Sequence, residues 1–331
     1  SFSLLSDRTL KMRILFLLKS ANLGGTERCV ETLAHGFMTA RNEVLVIVSG
    51  NTGPFVERLC CGAIPHQVLK VRHLYDPRLA LRLRSAVRAF RPDVIYNHEP
   101  FFWDMTRVAT GSTPLAVTHH LAAPRKRWWL QLFWRKPAME ISPLEANAID
   151  LASLPAPRPQ QGRSLGMVGR MVAEKNWTAF CEIALELLAN DPALTAYAVG
   201  DGPLRAELQT RYRHPRLIFT GNVADARPLI GGLTLLVSTS RAETFGLTAL
   251  EAMAYAVPVV ANAACLFSQA IPAVETLSTL LYDAQRVREL GNQGRLLAQR
   301  FDLPHVVETL QTRFSSLCTP REAPLSEAGL R

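Results

Sequence analysis

At 331 residues the chain is long enough for two ordinary domains, each able to bury a sizeable core. A composition of 48% hydrophobic and 20% charged residues places it among globular proteins, and no apolar run reaches the length of a membrane span. The net charge of +9 selects anionic partners, of which a nucleotide diphosphate, an anionic membrane and nucleic acid are the classes to separate. The six cysteines contain no CxxC pair, and the adjacent Cys60 and Cys61 make a poor structural bridge. Reduced thiols and a cytoplasmic setting are expected, rather than a disulfide or zinc framework. Residues 1–11 lack the basic start and apolar core of a secretory signal, so no export is expected.

The apolar run 13–18 reads as a central parallel strand and ends in a loop containing Gly24 and Gly25, which opens a helix. A tight βα turn accounts for the glycine pair by itself, and no GxGxxG dinucleotide fingerprint is present. Strands follow at 43–48, 66–71, 93–97 and 115–119, with a basic helix at 78–90. Such alternation predicts a parallel sheet covered on both faces, with ligands at the carboxyl ends of its strands. Asn97, His98 and Glu99 fall at one of those ends, and His119 and His120 at another. Neighbouring histidines raise the question of a metal, but spaced cysteine or carboxylate partners are missing from the sequence around them.

Residues 124–136 interleave cations with large aromatics: Arg125, Trp128, Trp129, Trp134 and Arg135 stand out. Two readings stay open, packing of the tryptophans against the domain and docking at an anionic bilayer interface. Nucleic acid is a third and weaker partner class, since no nucleic-acid module is recognisable. Residues 142–151 read as a helix, after which the proline-dense stretch 153–163 marks an interdomain linker.

A second alternating series then begins, with strands at 165–168, 194–199, 217–220 and 233–237 and helices at 177–190, 203–212 and 224–230. Gly169 and Arg170 follow the first of these strands, and Glu174, Lys175 and Asn176 come just after. Gly200 closes the next strand. From Val237 to Ala261 a buried strand breaks into a polar loop, becomes a helix and returns to a strand. Thr244 is placed to cap a helix starting near Phe245, which leaves the amides of Phe245, Gly246 and Leu247 as an anion site. Glu243 stands just ahead of that helix and Glu251 two turns along it. Carboxylates beside an anion cradle suit a ligand with both phosphates and hydroxyls, such as a nucleotide sugar.

This stretch resembles the E-x7-E signature of the retaining glycosyltransferases of family 4, with Glu243 and Glu251 as its two glutamates. The resemblance implies an α/β GT-B fold, two Rossmann-like parallel-sheet domains facing across a cleft. The domains expected are 12–152 on the acceptor side and 164–302 on the donor side, with the segment 303–318 returning to the first. Gly24 and Gly25 resemble the family's N-terminal glycine loop. Counting six residues from Pro114 makes His120 match the active-site histidine, with His119 as the fallback. Gly169 and Arg170, then Glu174 and Lys175, resemble its GR-x3-EK segment, which makes Arg170 and Lys175 the cations that face the leaving diphosphate. The turns around Gly200 and Gly221 resemble the family's strand-end turns near the nucleotide, and Gly169 joins Gly200 among the expected donor-binding residues. Glu251 corresponds to the ribose ligand and Glu243 to the residue facing the donor sugar. With no D-x-D pair in the chain, no metal cofactor is expected.

The implied activity is transfer of a sugar, with retention, from a UDP- or GDP-linked donor to a glycan or lipid-linked acceptor in envelope polysaccharide or glycolipid synthesis. A peripheral position on the cytoplasmic face of the membrane is the matching expectation, with no nucleic acid as partner. One departure from the family pattern follows Ala261, where the usual Gly-Gly-x-x-Glu turn is absent and about one βα unit is shortened. That departure supports the alternative of a non-catalytic GT-B binding subunit.

Overall fold

The computed structural model describes residues 11–19, 21–49, 52–70, 77–98, 109–120, 137–158, 160, 162–243, 245–261 and 274–318. Glu99, Thr244, the Arg125–Arg135 aromatic segment and the shortened stretch 262–273 lie outside the described residues. The chain divides into two compact units, Ser1–Ala146 with Val306–Arg331, and Asn147–His305.

The first unit is built on a six-stranded sheet in the order β3-β2-β1-β4-β5-β6. Its strands are β1 Arg13–Leu18, β2 Glu43–Ser49, β3 His66–Leu69, β4 Val94–Asn97, β5 Leu115–Thr118 and β6 Met139–Ile141. Every pairing is parallel. Such strands are buried on both faces and so read as unbroken apolar runs. Side-chain alternation along β1 sends Leu15 and Leu17 to one face, where Leu79, Leu83, Ala86 and Val87 of the helix Pro77–Phe90 cover them. Phe16 points to the other face and meets Phe37 of the helix Gly25–Thr39, ring centroids 6.1 Å apart.

The helix Leu303–Ser315 belongs to this unit from Val306 onward. Phe314 is fully buried, its ring 6.0 Å from Phe37 and 5.2 Å from Tyr96. Asn42 Nδ2 donates to Gln311 Oε1 at 3.4 Å, and Arg313 pairs with Glu145 at 2.5 Å.

The second unit carries a five-stranded parallel sheet in the order β11-β10-β7-β8-β9. Its strands are β7 Arg163–Val168, β8 Leu194–Val199, β9 Leu217–Gly221, β10 Leu235–Ser238 and β11 Val259–Ala261. Both sheets share one topology: a first strand with two successors on one side and the later strands on the other.

Two local expectations are corrected. Residues 142–151 form one helical turn, Pro143–Ala146, and not a longer helix. Their backbone groups are taken elsewhere: Ile149 N–H donates to Phe301 O and Leu303 N–H to Ile149 O, both at 2.9 Å. The helix after Glu243 is Leu247–Ala254, two residues later than expected, because Gly246 at its N-cap holds φ +90°. β6 adds a strand that the sequence pattern, reading through Ser142, does not reveal.

Candidate active site

In a doubly wound sheet, the first strand and the one that crosses to its other side part at their carboxyl ends and leave a crevice. In the second unit these strands are β7 and β10, and the residues after each are stitched together. Thr239 Oγ1 donates to Lys175 O at 3.1 Å and to Asn176 O at 2.9 Å, and Arg241 N–H donates to Glu174 O at 2.9 Å. Asn176 takes the left-handed conformation (φ +52°), and Ala173–Lys175 form a single 3-10 turn.

This stitching joins Lys175 to Glu243 in an ion pair, and Ser240 Oγ donates to the same Glu243 oxygen at 3.0 Å. Arg170 is exposed, its backbone carbonyl fixed by Trp177 Nε1 at 2.9 Å. Gly169 and Gly200 meet directly: Gly169 N–H donates to Val199 O at 3.0 Å, and a Cβ on Gly200 would sit 2.0 Å from Gly169 O.

At the start of the Leu247–Ala254 helix the first intrahelical bonds run from Ala249 and Leu250 N–H to Gly246 O. The helix amides ahead of them are those of Leu247 and Thr248; of the expected set, Leu247 opens the helix, Gly246 is its N-cap and Phe245 precedes it. Phe245 is buried, with its ring edge-on to Phe301 at 5.3 Å, so it anchors the loop through its side chain. Glu251 is half-buried further along and lies in the field of Arg227. Hydrogen bonding to Asp225, an ion pair at 2.7 Å, raises the Arg227 pKa, and Glu251 adds to the effect.

In the first unit the corresponding strands are β1 and β4. Gly24 is extended at the N-cap of Gly25–Thr39, and a Cβ there would meet the buried Glu27 carboxylate at 2.7 Å. His98 follows β4, with its N–H bonded to Leu17 O at 3.2 Å, and His120 follows β5. His98 Nδ1 and His120 Nε2 share a hydrogen bond of 2.8 Å. Cys29 completes a cluster with them, in which Cys29 and His98 are buried and His120 is half-buried. Its thiol donates to Ala146 O at 3.2 Å, and burial pushes its pKa up to about 12. None of the five described cysteines is in a disulfide.

Within the second unit the structure thus gathers Gly169, Arg170, Lys175, Gly200, Glu243, Gly246, Leu247 and Glu251 on loops and a helix start beside β7, β8 and β10. Gly24, Gly25 and His120 belong to the first unit. Sequence reasoning missed Thr239, whose partners Lys175 and Asn176 are more than sixty residues away, and also Ser240 and Arg227, which are bonded to the nearby Glu243 and Asp225. His98 was visible at its strand end without its partner.

Residues 23–151 match the model described as Glycosyltransferase Family 4, and residues 162–294 match that described as Glycosyl transferases group 1. The chain belongs to the glycosyltransferases of the GT-B fold. Its fold is shared with Anabaena Alr3699/HepE, solved in complex with UDP and glucose: TM-score 0.73, 23% identity, 92% of this chain and 100% of that one covered.

The lipopolysaccharide core biosynthesis mannosyltransferase LpcC of Rhizobium leguminosarum bv. viciae is 35% identical over 129 residues, 36% of this chain and 37% of that protein. The sulfoquinovosyl transferase SQD2 of Arabidopsis thaliana is 23% identical over 292 residues, 68% of this chain and 56% of that protein. The match thus spans little more than a third of the first relative's length and about half of the second's.

Proposed function

We propose that the chain moves a sugar from a nucleoside diphosphate donor to a glycan or glycolipid acceptor of the cell envelope, with retention of configuration and without a metal. The observation that carries this reading is the convergence, beside β7 and β10, of an exposed Arg170, the Lys175–Glu243 pair and the helix start after Gly246, with Glu251 on that helix. A departing diphosphate gains charge as the glycosidic bond breaks, so fixed cations and amides stabilise the transition state more than the ground state. Arg170, Lys175 and the Leu247 and Thr248 amides take the phosphates, and Glu251 takes the ribose hydroxyls. Glu243, held by Ser240, reads the donor sugar while keeping Lys175 in place. We assign His120 a part in the chemical step.

The UDP and glucose of the HepE structure make UDP-linked sugars the first to try, and the likeness to the mannosyltransferase LpcC adds nucleotide-linked mannose, for which GDP is the second nucleotide tested. Calorimetry with UDP and GDP, followed by transfer assays with the matching sugars, tests the reading. Saturable binding of one nucleotide that Arg170→Ala weakens at least tenfold is expected. Absence of binding by either nucleotide and by their sugars would refute it.

We place the reaction at an anionic membrane surface. The helix Pro77–Phe90 has no acidic residue and exposes Arg82, Arg84 and Arg88, with Leu81 70% exposed among them. Arginines around an apolar side chain suit the headgroup boundary. The Trp128, Trp129 and Trp134 segment would add interfacial aromatics. Co-sedimentation with phosphatidylglycerol vesicles, lost in an Arg84→Glu, Arg88→Glu variant and absent with neutral vesicles, is the expected result. Equal pelleting of wild type and variant would remove this helix from the docking surface.

A further inference from the structure

Cys29, His98 and His120 bring metal-capable atoms within 4.8 Å of one another. A thiol and two imidazoles are the donor set of a soft cation, but the imidazole geometry opposes one. At 2.8 Å, the two nitrogens are closer than a pair sharing a tetrahedral ion through bonds of about 2.0–2.1 Å. The ring planes are 15° apart and the centroids 5.1 Å apart, which is that nitrogen separation extended by one ring radius at each end. The rings therefore lie end to end, with the two facing nitrogens on one line. A proton fits between them, and a metal does not.

We propose that His98 is a positioning residue that fixes His120 in a single tautomer and a single ring orientation. His98 is itself held still: it is 1% exposed, its ring centroid lies 4.1 Å from that of Tyr96 and 5.8 Å from that of Phe16, and its backbone N–H is bonded to Leu17 O.

The direction of the shared proton follows from the other end of its ring. His98 Nε2 is buried with no hydrogen-bond partner among the described residues. An orphaned buried N–H is a rarer defect than an under-satisfied acceptor, so the bare nitrogen is Nε2 and the proton sits on Nδ1. His98 Nδ1–H donates to His120 Nε2, and His120 must then carry its own proton on Nδ1, the nitrogen turned away from the pair. Both rings are neutral near pH 7. Burial, then His120, depresses the His98 pKa well below the ordinary value, and burial, then His119, pushes His120 down to about 4.

A sugar hydroxyl approaching the outer edge of His120 would meet an N–H donor of fixed direction instead of a ring free to flip or exchange tautomers. This last step rests on the proposed role of His120 in transfer, whereas the tautomer assignment stands without it.

Long-range proton–nitrogen correlation spectra of protein labelled with 15N-histidine test the assignment, with peaks identified by single substitutions. Both rings are expected in the Nδ1–H form, the minor one for a histidine free in water. His98→Phe should return His120 to the Nε2–H form. His98→Asn, whose side-chain amide lies where Nδ1 was, should keep the wild-type pattern. In transfer assays, His98→Phe should lower kcat at least tenfold with little change in donor KM, and His98→Asn should recover most of it. Finding His120 as Nε2–H in the wild type overturns the proposal even if His98→Phe fails to fold, as does an unchanged His120 spectrum in folded His98→Phe. If the spectra agree but His120→Ala transfers normally, the tautomer assignment survives and the proposed role of His120 falls.

Discussion

His120 changes the pH dependence of stability in a direction set by its depressed pKa. In the unfolded chain it titrates near 6.5, while in the fold it stays neutral down to about 4. Between those values the unfolded state binds the extra proton, so folding is weakened as pH falls. The contribution is complete above the unfolded value and is lost by the folded one, at most about 3 kcal/mol from a shift of this size. His98 acts in the same direction. Urea melts at pH 7, 5.5 and 4.5 should show His120→Gln to be less pH-sensitive than wild type, and equal slopes would exclude the effect.

A second contrast at this scale separates the two glutamates of the Glu243–Glu251 pattern. If Glu251 takes the ribose, Glu251→Ala should weaken binding of the free nucleoside diphosphate by about 1–3 kcal/mol, the usual cost of an unmade charged hydrogen bond. Glu243→Ala should act chiefly on kcat or on the choice of sugar. Calorimetry that finds wild-type affinity in Glu251→Ala rejects the ribose assignment. The chemical types of these side chains and their strand-end positions were readable from the sequence. Their partners were not: Lys175 and Glu243 are 68 positions apart, and His98 and His120 are 22. Only the order of strands in each sheet makes them neighbours.

Among elements, the Gly169 and Gly200 turns of the second unit approach each other closely. Both backbones lie at positive φ, +153° and +132°, so either alanine is strained. A Cβ on Gly169 meets open space, while one on Gly200 meets Gly169 O. Gly169→Ala should therefore cost about 1–3 kcal/mol of backbone strain, and Gly200→Ala distinctly more. Thermal melts give the ordering, and equal losses would mean the turns do not touch in solution.

The apolar runs of β1, β2, β7 and β8 were legible because a strand covered on both faces has no polar side to hide. The stretch 142–151 was misread because helical spacing of apolar residues records which side is buried and not where the backbone bonds go. Here they go to residues 301–303. The late helix start follows from a left-handed glycine, which capping rules based on side-chain oxygens do not register.

For the whole molecule, a mechanism in which Arg170, Lys175 and helix amides meet the phosphate charge predicts that chelators leave transfer intact. Activity that returns only on adding Mg²⁺ or Mn²⁺ would overturn it. The terminal helix gives a second prediction at this scale. Val306, Val307, Leu310 and Phe314 are buried, and Phe314 packs on the central Tyr96 and Phe37. Removal of a buried aromatic costs about 3–5 kcal/mol. A chain ending at residue 305 should lose the cooperative unfolding of its first unit while the second still melts, as calorimetry on the truncated protein would reveal. A first-unit transition unchanged by truncation would show the helix to be dispensable.

Because the first unit needs residues from both ends of the chain, its order of completion differs from its order of synthesis. A ribosome making this protein releases everything the second unit requires by residue 305, while the first unit still waits for its closing helix. The usual sequence, in which the amino-terminal domain settles first, is inverted. Through most of translation the nascent first unit has Phe37 and Tyr96 without Phe314, an apolar surface open to chaperones until the last turns of helix emerge.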